Sequence, residues 1–500
     1  MKKGFFYCFL LLASWALYAA APPVPSGGVI EREIEKEYEG QPLTPDKKVP
    51  EIQIDVPKEQ LELPQGHKVY IYKVEIHGNH VVSTKDIQKR LAPHINRELA
   101  ISDIYQLCHI VETLYAEKGF FLARVYPPPQ KIKDKVLVLE VLEGKLGNIN
   151  VIGNTHYSTS FILKYFKKFQ DHALNYDQFL RSLILLNENS DLVAGAVFEK
   201  GKEVGKADVI IRVKDKYPLH LYINGNDYGR WLTTNFRAGG RVDTELFMNG
   251  DKISVAEVVG FPVHSLYFTD VVYRLPLNAN GTFLEGAYLT SRFHVQELLY
   301  LHLTGKSDIA TVKVEHAAHR GRLLSGDVFA SFDYKQIQNF TMGHRTSFDK
   351  IRLLTLGTSL DYYSSKFGRN YSVFRIGIGL PGFLGGLNQP TPTSSRPSAQ
   401  GNFGKLNLDE DYIYRFLGDA FFVFHGAGQL SFNQLTVPEQ FYIGGADTIR
   451  GFPLASAMGD SGYFCNFELR FPPFIFGENK FLRTKKMWKD IFLNSPKFRQ

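Results

Sequence analysis

Cysteine is scarce. The 500-residue chain has three, Cys8, Cys108 and Cys465. Cys8 lies in a leader-like stretch, and the other two fall in different segments, so no disulfide framework is expected. No CxxC or His/Cys spacing suggests zinc. Long apolar runs are also missing. No stretch approaches the ~20 apolar residues that a helix needs to cross a bilayer, so passage through a membrane would have to be made by strands. P-loop, GxSxG, HExxH and dinucleotide fingerprints are absent, which leaves no recognisable catalytic residue. The net charge of +7 is mild, and without a basic stripe carrying interleaved aromatics it indicates no nucleic-acid partner. The nearest metal-like spacing is Glu315–His319 (EHAAH). It lies in a strand-like run where His316 and His319 point to opposite faces, so no metal is expected there, and no other cofactor is expected.

What is present points to sheets and membranes. Aromatic residues make up 14% of the chain, with 26 Tyr and 39 Phe, a composition that suits pleated surfaces and membrane interfaces. At the N-terminus, Lys2 and Lys3 precede an apolar run from Phe5 to Leu17, followed by Ala19–Ala21 and Pro22-Pro23. This is the pattern of a secretory signal over 1–21, and the run is short for a membrane anchor. Residues 22–66 form a Pro-, Gly- and charge-rich linker. Within it Ile30–Glu39 reads either as a short charged helix, with attractive i,i+3 and like-signed i,i+4 pairs, or as a solvated charged stretch.

Residues 68–144 read as strand, helix, helix, strand, strand. Gly78-Asn79 makes a turn, Ser83 caps the first helix, and Ile104, Leu107, Cys108, Val111, Leu114 and Tyr115 form one apolar stripe on the second. Gly119 stops that helix. Cys108 is therefore a core residue. Residues 146–214 repeat the plan, with Gly153-Asn154 echoing Gly78-Asn79. An α+β unit used twice suggests a modular binding arm rather than a catalytic core.

From residue 217 to 476 the period becomes two. Phe374, Ile376, Ile378 and Leu380 alternate with Arg375, Gly377 and Gly379. Leu354, Leu356, Thr358, Leu360 and Tyr362 alternate with Thr355, Gly357, Ser359 and Asp361. Roughly twelve strands of bilayer length follow one another to Phe471. A soluble β-sandwich alternates in the same way, but the leader and the uninterrupted run favour a transmembrane antiparallel β-barrel. Gly385–Asn402 reads as a long outside loop.

One segment stands apart. Gly444-Gly445-Ala446-Asp447-Thr448-Ile449-Arg450-Gly451-Phe452 joins two strong strands yet carries a lone Arg among glycines. It is either an exposed turn or a loop folded back into the barrel, with Arg450 held by an acid on the inner wall. In the next strand Tyr463, Cys465, Phe467, Leu469 and Phe471 form the outward face. Glu468 then faces the lumen and is the candidate partner.

These features together resemble the TpsB transporters of two-partner secretion (ShlB/FhaC-like), within the BamA-like superfamily. The paired βααββ units resemble POTRA domains, through Gly119-Phe120, Tyr126-Pro127-Pro128 and Glu140–Gly144. GGADTIRGF resembles the family's lid-loop motif, with Ile449 where Val is usual, and Phe467-Glu468-Leu469-Arg470 resembles the strand motif after it. The resemblance implies α+β periplasmic POTRA-like domains followed by a barrel in the outer membrane. Gly444, Gly445, Arg450, Gly451 and Phe452 would lie in a pore loop, and Glu468 would touch it. The partners implied are a secreted TpsA-like client and outer-membrane lipid. Two other readings compete: an insertase that assembles outer-membrane proteins, and a secreted soluble β-protein. The resemblance also implies a barrel of about sixteen strands, whereas the alternation stops after roughly twelve. The tail 477–500 is basic and does not alternate, and no counterpart of the family's aspartate follows Glu468. The expectation is a truncated or frameshifted chain whose barrel is incomplete at the C-terminus, leaving an unpaired edge.

Overall fold

The computed structural model describes residues 44, 47, 49–55, 68–227, 229, 233–295, 302–417 and 420–471. The expected signal 1–21, the 30–39 helix and the tail 477–500 lie outside them. Among the described residues no helix is long and apolar enough to cross a membrane.

A short strand, β1 (Ile52–Asp55), precedes the first α+β unit. That unit comprises β2 (Val69–Ile71), β3 (Lys73–His77), α1 (Thr84–Leu91), β4 (Arg97–Leu99), α2 (Ile101–Glu117), β5 (Arg124–Tyr126) and β6 (Val136–Leu142). The second unit comprises β7 (Lys145–Ile152), α3 (Thr159–Leu163), α4 (Tyr176–Asn187), β8 (Leu192–Lys200) and β9 (Lys206–Asp215). The sheets run β3-β6-β5 and β1-β8-β9-β7. The apolar stripe of α2 is buried on the first sheet with Ile71, Leu137 and Leu139. Cys108 sits in that core, and burial pushes its thiol up to about 12, so it is chemically inert.

The two units repeat down to single hydrogen bonds. Gly78 and Gly153 both have positive φ, and an added Cβ would stand 2.4 Å from the carbonyl oxygens of Val141 and Val213 respectively, so only glycine fits. Asn79 Nδ2 donates to Val82 O, and Asn154 Nδ2 donates to Tyr157 O. Ser83 and Ser158 cap α1 and α3. Each unit closes with a carboxylate that collects backbone N–H groups after the first turn. Glu143 accepts from Val81 N, and Asp215 accepts from Thr155, His156 and Tyr157 N.

The third part is one antiparallel sheet of twelve strands. It comprises β10 (Leu219–Asn226), β11 (Phe236–Thr244), β12 (Lys252–Phe261), β13 (Leu266–Asn278), β14 (Thr282–His294), β15 (Thr304–Arg320), β16 (Leu324–Thr341), β17 (His344–Ser364), β18 (Gly368–Gly379), β19 (Gly404–Leu417), β20 (Ala420–Ser431) and β23 (Gly462–Arg470). Two short strands, β21 (Phe441–Ile443) and β22 (Ala457–Gly459), form a separate hairpin. Strands β10 and β23 are the two ends of the sheet, so it does not close on itself among the described residues. The alternation sorts faces as a barrel requires. Leu356, Leu360, Phe374, Ile376 and Ile378 are exposed outside, while Thr355 and Ser359 are buried inside. Strands β15 to β17 span 17, 18 and 21 residues, longer than the ~10 residues a bilayer needs. In β15 a bulge between Ala317 and His319 breaks the simple alternation, and His316 Nδ1 is engaged by Thr282 Oγ1.

The second unit is bolted to one end of this sheet. Ala317 of β15 belongs to the unit's own core. Arg320 bridges Glu188, just after α4, and Asp327 of β16. The Tyr157 hydroxyl donates to Glu245 in the β11–β12 turn. In that turn Gly250 has φ +83°, and an added Cβ would lie 2.8 Å from Asn189 Oδ1.

Candidate functional site: a loop folded into the sheet

Residues 432–461 link β20 to β23, neighbours in the sheet, yet this long segment does not simply turn outside. The β21–β22 hairpin forms its stem, with Tyr442 opposite Met458. Tyr442, Leu454 and Ala455 pack on Val258, Leu266, Phe268, Leu289 and Phe293 of β12 to β14. The stem therefore leans on strands far across the sheet from where the loop is rooted, and the sheet curls around it.

The tip is built on glycine. Gly444, Gly445 and Gly451 have φ of 105°, 108° and 89°, a region that L side chains rarely adopt. An added Cβ at Gly444 would lie 2.2 Å from Pro453 O. The tip is fastened to itself by Gly444 N donating to Thr448 Oγ1 (2.7 Å) and Gly445 N donating to Phe452 O (3.0 Å). Asn466 Nδ2 on β23 donates to Thr448 O. Arg450 Nη2 lies 2.9 Å from Glu468 Oε1, and Arg470 Nη2 lies 2.7 Å from Glu468 Oε2. The structure thus brings Arg450 and Glu468 together, with Arg470 as a second cation on the same carboxylate. The Arg450 side chain is 69% exposed, so its pair contributes at most about 1 kcal/mol. Phe452 is exposed at the tip.

The base of the loop is held differently. Glu439 is nearly fully buried, its carboxylate lying 2.9 Å from Lys335 Nζ on β16 and 2.6 Å from Lys405 Nζ on β19. Gln429 donates to Glu439 O and Asp460 O and accepts from Asn407. Asp460 pairs with Arg396 and accepts from Leu435 N. Arg396 belongs to the segment between β18 and β19, which sequence reading placed outside as a loop of low order. Much of it is exposed, as that reading expects, but the part around Ser394–Ala399 is packed inward. Ser394 and Ala399 are buried, and Ser394 and Ser395 donate to Asp349. Polar residues of that part serve hydrogen bonding to the loop base. None of this clasp was among the expected site residues. Glu439 is separated from its two lysines by 104 and 34 positions, and no local pattern links them.

An arm of repeated α+β units, fixed to a membrane-type antiparallel sheet that wraps an inserted loop, defines an outer-membrane β-barrel transporter. Residues 69–144 match the POTRA domain, ShlB-type, and residues 205–484 match the haemolysin secretion/activation protein ShlB/FhaC/HecB family. The chain belongs to that ShlB/FhaC/HecB family. It is 21% identical over 432 residues to the heme/hemopexin transporter protein HuxB of Haemophilus influenzae, covering 81% of this chain and 73% of that protein. It is 22% identical over 408 residues to the outer membrane transporter CdiB of Dickeya dadantii (strain 3937), covering 79% and 71%. Against the hemolysin transporter protein HpmB of Proteus mirabilis it is 23% identical over 442 residues, covering 85% and 75%. In fold it is similar to CdiB from Escherichia coli, with a TM-score of 0.69 at 15% identity, covering 95% of this chain and 85% of that one. The relatives are transporters, and the chain is an outer-membrane protein of the same kind.

Proposed function

We propose that this chain is the pore of a two-partner secretion pair and passes one large secreted client, of the haemolysin or adhesin type, from the periplasm to the cell surface. Residues 68–144 and 146–214 act as two POTRA-like domains that receive the unfolded client, and residues 217–476 form the pore. Gly444, Gly445, Arg450, Gly451 and Phe452 act as a lid over the passage, with Glu468 as the wall contact of its tip. The observation that carries this reading is the loop geometry. A glycine-built tip reaches Glu468 on the inner face of β23 while its stem packs across on β12–β14. A segment in that position obstructs the lumen, and its tip is held to the wall by an exposed ion pair and an amide hydrogen bond, as a movable lid requires. No reacting group is proposed, because transport leaves the client's bonds unchanged.

The test is co-expression of the full-length chain with a candidate large secreted client of the haemolysin or adhesin type, scoring that protein in the medium. Its release only when the chain is present supports the pore. Retention in the periplasm, with the chain correctly inserted, overturns it.

A further inference from the structure

The outward face of β14 to β17 changes character partway along the strands. Phe293, Ile337, Ile351 and Leu353 are buried on the inner side, so their neighbours Arg292, Gln336, Gln338, Lys350 and Arg352 point outward. On β17 the outward Leu356, Leu360 and Tyr362 are exposed. Arg352 stands roughly ten residues from Tyr362, the length a tilted strand needs to cross the hydrocarbon. It lies toward the end of the sheet away from the second α+β unit, which holds Ala317 and Arg320 at the other end. From there on the outward face is cationic. Arg292 of β14 is the register partner of Lys306 of β15, and Lys306 faces Gln338 of β16. Gln336 faces Lys350 of β17. Arg345 and Lys350 lie 4.9 and 4.8 Å from the Phe348 ring. The carboxylate on this stretch is Asp308, 2.7 Å from Lys306 Nζ. Among the described residues Arg292, Arg345 and Lys350 have no ion-pair partner.

A short flap covers the same wall. Phe383–Gly385 follows β18 as a single turn, and Phe383 packs edge-on against Phe332 of β16 at 5.6 Å. Arg352 holds the flap, its Nη2 donating to Leu384 O at 2.9 Å. The Arg352 side chain is buried. It stacks 3.4 Å from the centre of the Tyr334 ring and also donates to Lys335 O and Ile351 O. Its charge therefore meets carbonyls and a ring, with no carboxylate on it among the described residues. Leu384 has φ +45°, a left-handed conformation that is costly for a leucine. It leaves Phe383 and Leu384 50% and 58% exposed. Two apolar side chains are thus held out over the wall beside a cluster of cations.

We propose that the outer wall of β14–β17 binds a phosphorylated glycolipid of the outer leaflet, with its phosphates on the cations and an acyl chain along Phe383 and Leu384. The proposal uses the outer-membrane placement and is independent of the secretion reading above. Clustered cations beside hydrocarbon recognise anionic head groups. Arg292 and Lys306 stand on β14 and β15, and Lys350 and Arg345 on β17, about 10 Å from β15 at the usual strand spacing. The amides of Gln336 and Gln338 lie between them. Two cation pairs flanking two amides fit a sugar that carries a phosphate on either side and hydroxyls in the middle. A free phosphate would make no use of the exposed Phe383 and Leu384, and the flap adjoins the cations where the outward face turns from apolar to charged.

The experiment uses the full-length chain in neutral detergent micelles, with lipid A carrying both phosphates as the probe, read by native mass spectrometry at stepped lipid concentrations. The triple variant Arg292→Gln, Lys306→Gln and Lys350→Gln should weaken binding at least tenfold. Arg292→Lys, which keeps the charge, should bind as the parent does. So should Lys366→Gln, which removes an exposed cation at the opposite end of the sheet. Phe383→Ser should weaken binding at least threefold. A measurement that needs no substitution is lipid A stripped of its phosphates, which should bind the parent at least tenfold more weakly. Equal binding by the triple variant and the parent, or equal binding of the stripped lipid, overturns the proposal. Displacement of lipid A by excess inorganic phosphate at constant ionic strength would assign the cations to a free anion and overturn it as well. Phosphatidylglycerol bound as tightly as lipid A would overturn the glycolipid as the occupant.

Discussion

Replacing Glu439 by Gln separates the two ways in which the inserted loop is held. The Glu439 side chain is 2% exposed, and its two lysines are 15% and 10% exposed. Removing one partner of a buried pair costs about 3–5 kcal/mol, because the remaining charge is left uncompensated. Here Lys335 keeps Asp333 at 3.7 Å, and solvent reaches parts of the inner face. The expected loss is therefore about 2–3 kcal/mol, a factor of about 30–140 in the local opening equilibrium. Amide exchange of the 433–443 segment, followed by mass spectrometry on the full chain in detergent at pH 7, should quicken by that factor. Arg450→Ala removes a pair whose cation is mostly exposed. It should change exchange at the loop base by no more than about fivefold, the equivalent of 0–1 kcal/mol. A change below about threefold in Glu439→Gln, or a larger effect from Arg450→Ala, would refute the assignment of the hold to the base.

Arg450→Ala should lower client export while leaving the amount of inserted protein unchanged, and full export by this variant would remove the loop tip from the mechanism. Asp215 carries its own pH signature. Burial raises its carboxyl, but the backbone N–H groups of Tyr157, His156 and Thr155 outweigh that and hold it below the usual range. Its contribution is therefore present above the unfolded value near 3.9 and is lost as pH falls through the lower folded value. Asp215→Asn should speed amide exchange at 155–157 at neutral pH by the equivalent of about 1–2 kcal/mol, and the gap to the parent should shrink below about pH 4. Gly250→Val should lower the unfolding temperature more than Gly343→Ala does. Both positions have positive φ, but only at Gly250 does an added Cβ meet neighbours, Asn189 and Phe161. Equal shifts would mean that the turn does not bear on the second unit.

The local plan of the fold was legible because it is written in short-range signals. The Gly-Asn turns, the Ser caps and the α2 stripe each specify a conformation within a few residues. Period-two alternation fixed the faces of β17, β18 and β23 and a strand number near twelve. Elements held by distant partners were not legible. β4 is a three-residue strand paired only with β2, and β1 finds its partner far along the chain in a stretch that reads as linker. The segment between β18 and β19 has the composition of a solvated loop, and the inward packing of its 394–399 part depends on Asp349 and Asp460, neither of them adjacent. In the candidate site the tip glycines, Arg450 and Glu468 could be named, the last because strand parity sends it inward. The Glu439 clasp could not, since a lone buried carboxylate and two distant lysines share no local period.

The division of labour between tip and base constrains how such a loop can move. The base is tied by a buried carboxylate between two ammonium groups, by Gln429 across two carbonyls and by the Arg396–Asp460 pair. Releasing it would require several desolvated polar groups to lose partners at once, each costing about 1–3 kcal/mol. The tip is tied to the wall by an exposed ion pair and one amide hydrogen bond from Asn466, together about 1–2 kcal/mol. Glu468 is not stranded when Arg450 leaves, because Arg470 stays on it. Between the two lies the stem, whose apolar side chains rest on β12–β14. A modest free-energy input can therefore free the tip while the base remains closed, so the low-cost motion moves residues 444–452 and leaves Leu454 and Ala455 seated on β12–β14, rather than expelling the whole segment 432–461.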